Sequence, residues 1–355
     1  MEMKRLTELR KRMKEQDLDG FLVSDKTNRI YLSNFTGSSA VFLITQTKAY
    51  IITDFRYFQQ LKEQAPDFEV VDHKGQMYQR TVELVQQLKL KQVGYEAEYL
   101  ITKDYFQLLN GGVRLQETEH LVEALRMIKE PNEIKIMQQA AALTDEVFSY
   151  FLKIVEPGMT EQATAAKIDS YLRELGATGS AFETIVASGW RSALPHGHAS
   201  EKVIQKNELI TLDFGVIYQN YYSDMTRTIA LGAVDSELKQ IYQIVNAAGE
   251  KGLAAVEIGK TCQEVDAVCR EFIHEAGYGA YFGHGTGHGI GLSCHEFPAL
   301  NQTTNLPLQP QMVFTIEPGI YLPEKGGVRI EDDIWLQPNG IATSLTKSTR
   351  EWIEL

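Results

Sequence analysis

The sequence predicts an α/β (α+β) protein in two parts, an amino-terminal domain over residues 1–129 and a larger domain over 130–355. Three observations carry this expectation. Helical and strand patterns alternate as far as residue 129, Pro131 then breaks the pattern at the head of a long helix, and a helix-helix-strands signal beyond it occurs twice, 101 residues apart. With 355 residues, 43% of them hydrophobic, the chain can bury a core for each part.

In the first part, Leu6, Leu9 and Met13 share one face of an opening helix, and the run GFLVSD follows as a strand. Further strands are expected at 40–45, 49–54 and 92–96, with helices near 55–64 and 81–89. None of these segments presents a catalytic constellation. Pro131 is tolerated at a helix start, and the apolar periodicity behind it runs to Val155. Glu156-Pro157-Gly158 ends that helix, Thr160 caps the next, and Gly176 stops it.

The same grammar returns further on. Val155-Glu156-x-Gly158-x-Thr160 recurs as Val256-Glu257-x-Gly259-x-Thr261, and Leu172 and Gly176 recur as Ile273 and Gly277. Thr261 has Glu264 as a capping-box partner. Each helix pair precedes a strand-rich segment, 182–230 and 282–336, so the second part reads as a duplicated unit whose two halves pair their sheets under covering helices.

Charge narrows the function classes. Against 47 Asp and Glu stand 35 Lys and Arg, a net charge of −12 that argues against a nucleic-acid partner. The first sixteen residues are charged throughout and hold no apolar stretch for a signal-peptide core or a membrane span, so a cytoplasmic protein without membrane attachment is expected. Cys262, Cys269 and Cys294 show no CxxC spacing, which suits a reducing compartment; the first two, seven apart on a helix, read as core residues.

The chemistry concentrates in the second part. In ELITLDFGVIYQNYYSDMTRTIAL, a turn at Gln219-Asn220 pairs residues whose numbers sum to 439, so Asp213 faces Thr226 and lies diagonally from Asp224. Both aspartates then point to one face, where two carboxylates repel each other unless a cation joins them. A second pair, Glu317 and Glu331, lies on runs joined by a loop over 323–327. Leu322 opposite Val328 places these glutamates diagonally, with Arg329 on the same face to orient carboxylates. Between the pairs, YFGHGTGHGIGLSCHEF alternates glycine with other residues, which excludes a helical zinc motif at His284 and His288 and does not match G-x-G-x-x-G. The glycines are expected to let the backbone pass close to a ligand. Four carboxylates and a histidine make an oxygen-rich donor set suited to two divalent ions, which about 3.5 to 4 Å apart can acidify a bridging water for hydrolysis.

Taken in order, LDFG, SDMTRT, GHGTGHGIGLSCHE, FTIEPGIY and GGVRIEDD resemble the motifs of the M24 metallopeptidases, specifically the Xaa-Pro aminopeptidase (aminopeptidase P) and Xaa-Pro dipeptidase (prolidase) branch. The resemblance covers nearly the whole chain. The first part is similar to the creatinase-like accessory domain, including Asp54-x-Arg56-Tyr57, and the second to the pita-bread catalytic domain with its internal pseudo-twofold repeat. This implies that Asp213, Asp224, His288, Glu317 and Glu331 hold two divalent metal ions, manganese first, with cobalt, zinc or iron as alternatives, and that Asp224 and Glu331 bridge them. It places His196, His284 and His295 as non-ligand histidines that contact substrate, stabilise the tetrahedral intermediate or move protons. Glu317 would manage the proton of the attacking water, and Tyr321 is a candidate for the proline pocket.

The activity implied is hydrolysis of the bond between an amino-terminal residue and a following proline in proline-containing peptides, by a homodimer. Within the branch, a strict dipeptidase must neutralise the free carboxylate of its substrate, often with an arginine soon after His-Glu-x-Pro. Here Ala299 follows His295-Glu296-Phe297-Pro298, which tilts the expectation toward an aminopeptidase over the alternative dipeptidase. A non-catalytic binding protein on the same shell is the remoter alternative, disfavoured by the complete ligand set.

Overall fold

A computed structural model describes residues 2–355, which form two compact units, 2–126 and 127–355. The division falls three residues ahead of the boundary placed before Glu130.

The first unit is built on a six-stranded mixed sheet in the order Glu69–Asp72, Ala49–Thr53, Val41–Thr45, Gly20–Val23, Val93–Glu96, Leu115–Thr118. Val41–Thr45 runs antiparallel to both neighbours, and the outer pairs are parallel. The helices Met77–Gln87 and Thr102–Asn110 contribute Val82, Val85 and Leu108 to a core with Leu22, Leu43, Ile52 and Val93. Full burial of such a side chain contributes roughly 1.5–3 kcal/mol before entropy is counted. The helix expected over 81–89 begins four residues earlier, because Gln76 opens a turn at its head. The one expected over 55–64 starts as a short 3-10 turn, with Asp54 accepting from the Arg56 amide, before the α-helix Phe58–Gln64.

In the second unit, the helices Pro131–Ile154 and Glu161–Glu174 precede one group of strands, and Ser236–Ala254 and Cys262–Glu275 precede another. The repeat extends to backbone detail. Thr160 accepts from the Ala163 amide and Thr261 from the Glu264 amide, while Gly158 and Gly259, and Gly176 and Gly277, all take positive φ. Val147, Phe151 and Ile168 pack on Val186, Leu212 and Ile229 in the first half. Ile241, Val245 and Ile273 pack on Ile320 and Val328 in the second, where Leu209 of the first half joins them. Cys262 and Cys269 sit fully buried against Phe314 and Ile334.

The strand Glu208–Phe214 lies between Ile185–Ser188 and Met225–Leu231. Its counterpart, Val313–Ile316, lies in a five-stranded sheet between Gly287–Gly289 and Asp332–Leu336. The first sheet is joined to the segment that leads from the two-stranded ladder Gly319–Leu322 with Gly326–Arg329 into Asp332–Leu336: the Glu331 amide donates to the Thr226 carbonyl at 3.0 Å and the Thr228 hydroxyl to the Arg329 carbonyl at 3.0 Å.

Candidate active site

The aspartate hairpin has the register its turn dictates. Gln219 and Asn220 adopt φ of 48° and 69°, and the pairs Tyr218 with Tyr221, Phe214 with Met225 and Asp213 with Thr226 all sum to 439. Asp213 is the penultimate residue of one strand, and Asp224 stands just before the other.

The glutamate hairpin departs from expectation by two residues. Leu322 pairs with Gly326, not Val328, because Glu324 takes a left-handed φ of 64° and closes a three-residue turn. The same sum of 648 runs on through Ile316 with Asp332, so Glu317 faces Glu331 directly across the gap between the two ladders. A shift of two preserves the face, and both carboxylates still point the same way.

The glycine run also differs from expectation. A Cβ on Gly287 would stand 1.9 Å from the Thr315 carbonyl oxygen, and one on Gly289 would stand 2.2 Å from that of Phe297. The close approach is therefore to neighbouring strands, and it places His288 on a strand wedged between them.

Asp213, Asp224, His288, Glu317 and Glu331 all line one cavity of about 430 Å³, together with His196, His284, His295, Tyr321 and Arg329. Ligand atoms of Asp224, His288 and Glu331 lie within 4.8 Å of one another. His288 Nε2 stands 3.4 Å from Glu317 Oε1 and 3.8 Å from Asp224 Oδ2. Its Nδ1 lies 3.1 Å from the Gly289 carbonyl, an acceptor only, so Nδ1 carries the proton and the Nε2 lone pair faces the carboxylates.

Two further observations fit these residues to cations. Asp213 Oδ1 and Asp224 Oδ1 are buried with no hydrogen-bond partner among the described residues. Burial, then the charges of Asp213, Asp333 and Glu317, push Asp224 well above the usual carboxylate range, and burial with the Asp224 charge does the same to Glu331. Burial raises Glu317 and lowers His288. Protein groups alone leave this cluster electrostatically unfavourable, whereas divalent cations would neutralise it and use its free lone pairs.

The remaining predicted residues take more specific places. Arg329, expected on the face of Glu331 to orient carboxylates, donates Nη2 to Asp213 Oδ2 at 2.6 Å, Nη1 to the Tyr321 hydroxyl at 2.9 Å and to the Pro195 carbonyl at 3.1 Å, and Nε to Thr226 at 3.1 Å. The Tyr321 hydroxyl lies 2.8 Å from His284 Nε2, and His284 Nδ1 lies 2.8 Å from the Gly285 carbonyl. Both His284 nitrogens are thus engaged, and its pKa is lowered by burial. His295 stacks on His288 with ring centroids 3.9 Å apart, and His196 is exposed at the cavity.

Sequence reasoning missed the groups that hold the carboxylates. Thr226 donates to Glu331 Oε2 at 2.6 Å, Thr315 to Glu317 Oε1 at 3.1 Å and the Cys294 thiol to Asp224 Oδ2 at 3.3 Å, while Asp333 accepts from the Asp224 amide at 3.1 Å. Thr226, opposite Asp213, was within reach of the hairpin arithmetic; Cys294 and Asp333 had no spacing signal.

Comparison with known proteins agrees with this architecture. Metallopeptidase family M24 matches residues 135–338, and the creatinase/prolidase N-terminal domain matches residues 5–128. The chain is 35% identical over 346 residues to the Xaa-Pro dipeptidase of Pyrococcus horikoshii, covering 96% of each. A solved structure of a Xaa-Pro dipeptidase from Bacillus anthracis is 44% identical over the full length of both chains, with a TM-score of 0.98. The X-Pro aminopeptidase from Thermotoga maritima is 39% identical, with a TM-score of 0.90 over 97% of this chain and 100% of that one. No helix among the described residues is long and apolar enough to cross a membrane. The chain belongs to metallopeptidase family M24 and is a metal-dependent peptidase.

Proposed function

We propose that this protein hydrolyses the bond between an amino-terminal residue and a following proline, with Xaa-Pro dipeptides as preferred substrates and two divalent ions, manganese first, as cofactors. The observation that carries the reading is the set of carboxylates that share one cavity with His288, two of them keeping a buried oxygen with no partner among the described residues. Asp213, Asp224, His288, Glu317 and Glu331 would hold the ions, which when bound supply positive charge that acidifies a water and stabilises charge developing on the scissile carbonyl. Glu317, raised by burial, is suited to accept and return a proton. His295, open to the cavity, would stabilise the carbonyl oxygen as it gains charge. His284 holds the Tyr321 hydroxyl, through which Arg329 also acts.

The preference for dipeptides rests on the relatives named for them, and it displaces the preference for longer peptides suggested by Ala299. One observation favours the second reading, a Xaa-Pro aminopeptidase. Among the described residues that line the cavity, Arg329 carries the one guanidinium or ammonium group, and its donors are committed to Asp213, Tyr321, Pro195 and Thr226. Matched Ala-Pro and Ala-Pro-Ala substrates assayed with manganese decide between them. We expect kcat/KM at least about tenfold higher for the dipeptide, a difference of about 1.4 kcal/mol in transition-state binding. A higher value for the tripeptide would establish the aminopeptidase, and no cleavage of either would remove both readings.

A further inference from the structure

The segment between the strands Ile185–Ser188 and Glu208–Phe214 carries Pro195-His196-Gly197-His198 to the cavity. Side chains fix its course. The carbonyls on either side of His196 are each held by an arginine: Pro195 accepts from Arg329 Nη1 at 3.1 Å, and His198 accepts from Arg191 Nη2 at 2.6 Å. Each guanidinium is in turn anchored on a buried carboxylate, Arg329 on Asp213 at 2.6 Å and Arg191 Nε on Glu161 Oε2 at 2.9 Å.

Glu161 is a fixed point. It is fully buried at the first position of its helix, and both of its oxygens are filled. Oε1 accepts from the amide and hydroxyl of Ser188, each at 2.8 Å, and Oε2 accepts from the amide of Ser200 at 3.1 Å and its hydroxyl at 2.6 Å. One carboxylate therefore joins the strand end before the loop, the guanidinium within it and the residue that closes it. Such charge-assisted bonds in a dry setting are stiff as well as strong. The tip is close-packed as well, since a Cβ at Gly197 would stand 3.0 Å from that of Ala187 and 3.2 Å from the carbonyl oxygens of Arg191 and Leu194.

We propose that the Arg191–Glu161 pair is a positioning device for His196, fixing where that imidazole meets the substrate. The inference rests on the peptidase reading above for its substrate. Arg191 does not line the cavity; it acts through the His198 carbonyl. The metal-binding carboxylates have other supports, so loosening the loop affects substrate binding more than chemistry. Displacement of a contacting group by about 1 Å can cost up to about a hundredfold.

The test uses the metal-loaded full chain with Arg191→Ala, Arg191→Lys, His196→Ala and the double variant. Arg191 is 17% exposed, so its replacement leaves the buried carboxylate room to recruit water. Arg191→Ala should raise KM for Ala-Pro about ten- to a hundredfold with kcat within about threefold of wild type and metal content unchanged. Arg191→Lys, which can reach Glu161 but lacks the fork to bridge to His198, should recover less than half of that loss on a logarithmic scale. In the His196→Ala background, Arg191→Ala should add little, because the two act as one unit. Full additivity, or a loss of kcat and metal with KM unchanged, overturns the proposal. If wild type cleaves no Xaa-Pro peptide, the peptidase reading fails separately. Hydrogen exchange then decides: the amides of Leu194 and residues 196–200 should exchange faster in Arg191→Ala while 208–231 do not change, and equal exchange at those loop amides overturns the proposal.

Discussion

In the amino-terminal unit, the buried Glu96 accepts from the amides of Ser24 and Asp25 at 2.6 and 2.7 Å and from the Asn28 side chain at 2.7 Å. The same Asn28 amide reaches Glu123 at 2.5 Å, and Arg126 donates to the Asn28 oxygen at 2.9 Å. In the carboxy-terminal unit, Asp213 and Asp224 are as deeply placed, yet each keeps an oxygen with no partner among the described residues. Both clusters bear the desolvation cost of buried acids, and they differ in what meets the lone pairs. In the first cluster, backbone and side-chain donors meet both oxygens of Glu96, as suits a structural role. The second is complete only with cations, and that open valence is what makes it a site for chemistry.

The largest effect should come from the open cluster. Asp224→Ala or Glu331→Ala should lower manganese-supported turnover at least about a thousandfold while the protein stays folded. Added manganese should raise the unfolding midpoint of wild type through linkage, by an amount that grows with free metal, and leave either variant unmoved. Full turnover in either variant would break the comparison.

A smaller effect is expected from the closed cluster. Burial outweighs the donors on Glu96 and raises it to about 7, against an ordinary 4.5. The folded chain thus binds this proton more tightly than the unfolded chain. The associated stability is fully present below about 4.5 and is lost as pH rises through about 7, on the order of 3 kcal/mol in all. In metal-saturated protein, Glu96→Gln should flatten the fall of the unfolding midpoint across that window without altering metal content. Equal pH slopes for the two proteins would show that Glu96 is not held neutral by its surroundings.

The smallest effect concerns a carboxylate with donors but no burial. Glu264 accepts from the Thr261 amide at 2.7 Å and hydroxyl at 2.8 Å on the surface, and these bonds hold its carboxyl below the usual range. Glu264→Ala should lower the denaturant midpoint only slightly, through loss of the reciprocal cap, with activity unchanged. A cost as large as that of a buried acid would show that exposure does not set the scale.

How much of this was legible in the sequence varied by element. The aspartate register followed from two residues, because Gln219-Asn220 tolerate the left-handed turn that fixes the pairing. The glutamate register did not, because nothing in PEKGG states whether Glu324 will turn left-handed and shorten the loop. Arg329 was placed on the carboxylate face, but which carboxylate it would hold could not be read, since Asp213 lies 116 residues away and only the tertiary structure brings it near. The Arg191–Glu161 pair, 30 residues apart, had no spacing rule to reveal it.

By itself the sequence determined the duplicated helix pairs, the two acidic hairpins and the types of donor they offer, because caps, turns and period-two alternation are local properties of the chain. Tertiary structure alone decided which carboxylate oxygens are filled and which stay open. A lone pair is satisfied by whatever atom lies about 3 Å away in space, and for Asp213, Asp224 and Glu331 that atom belongs to a residue 70 to 116 positions away in the chain.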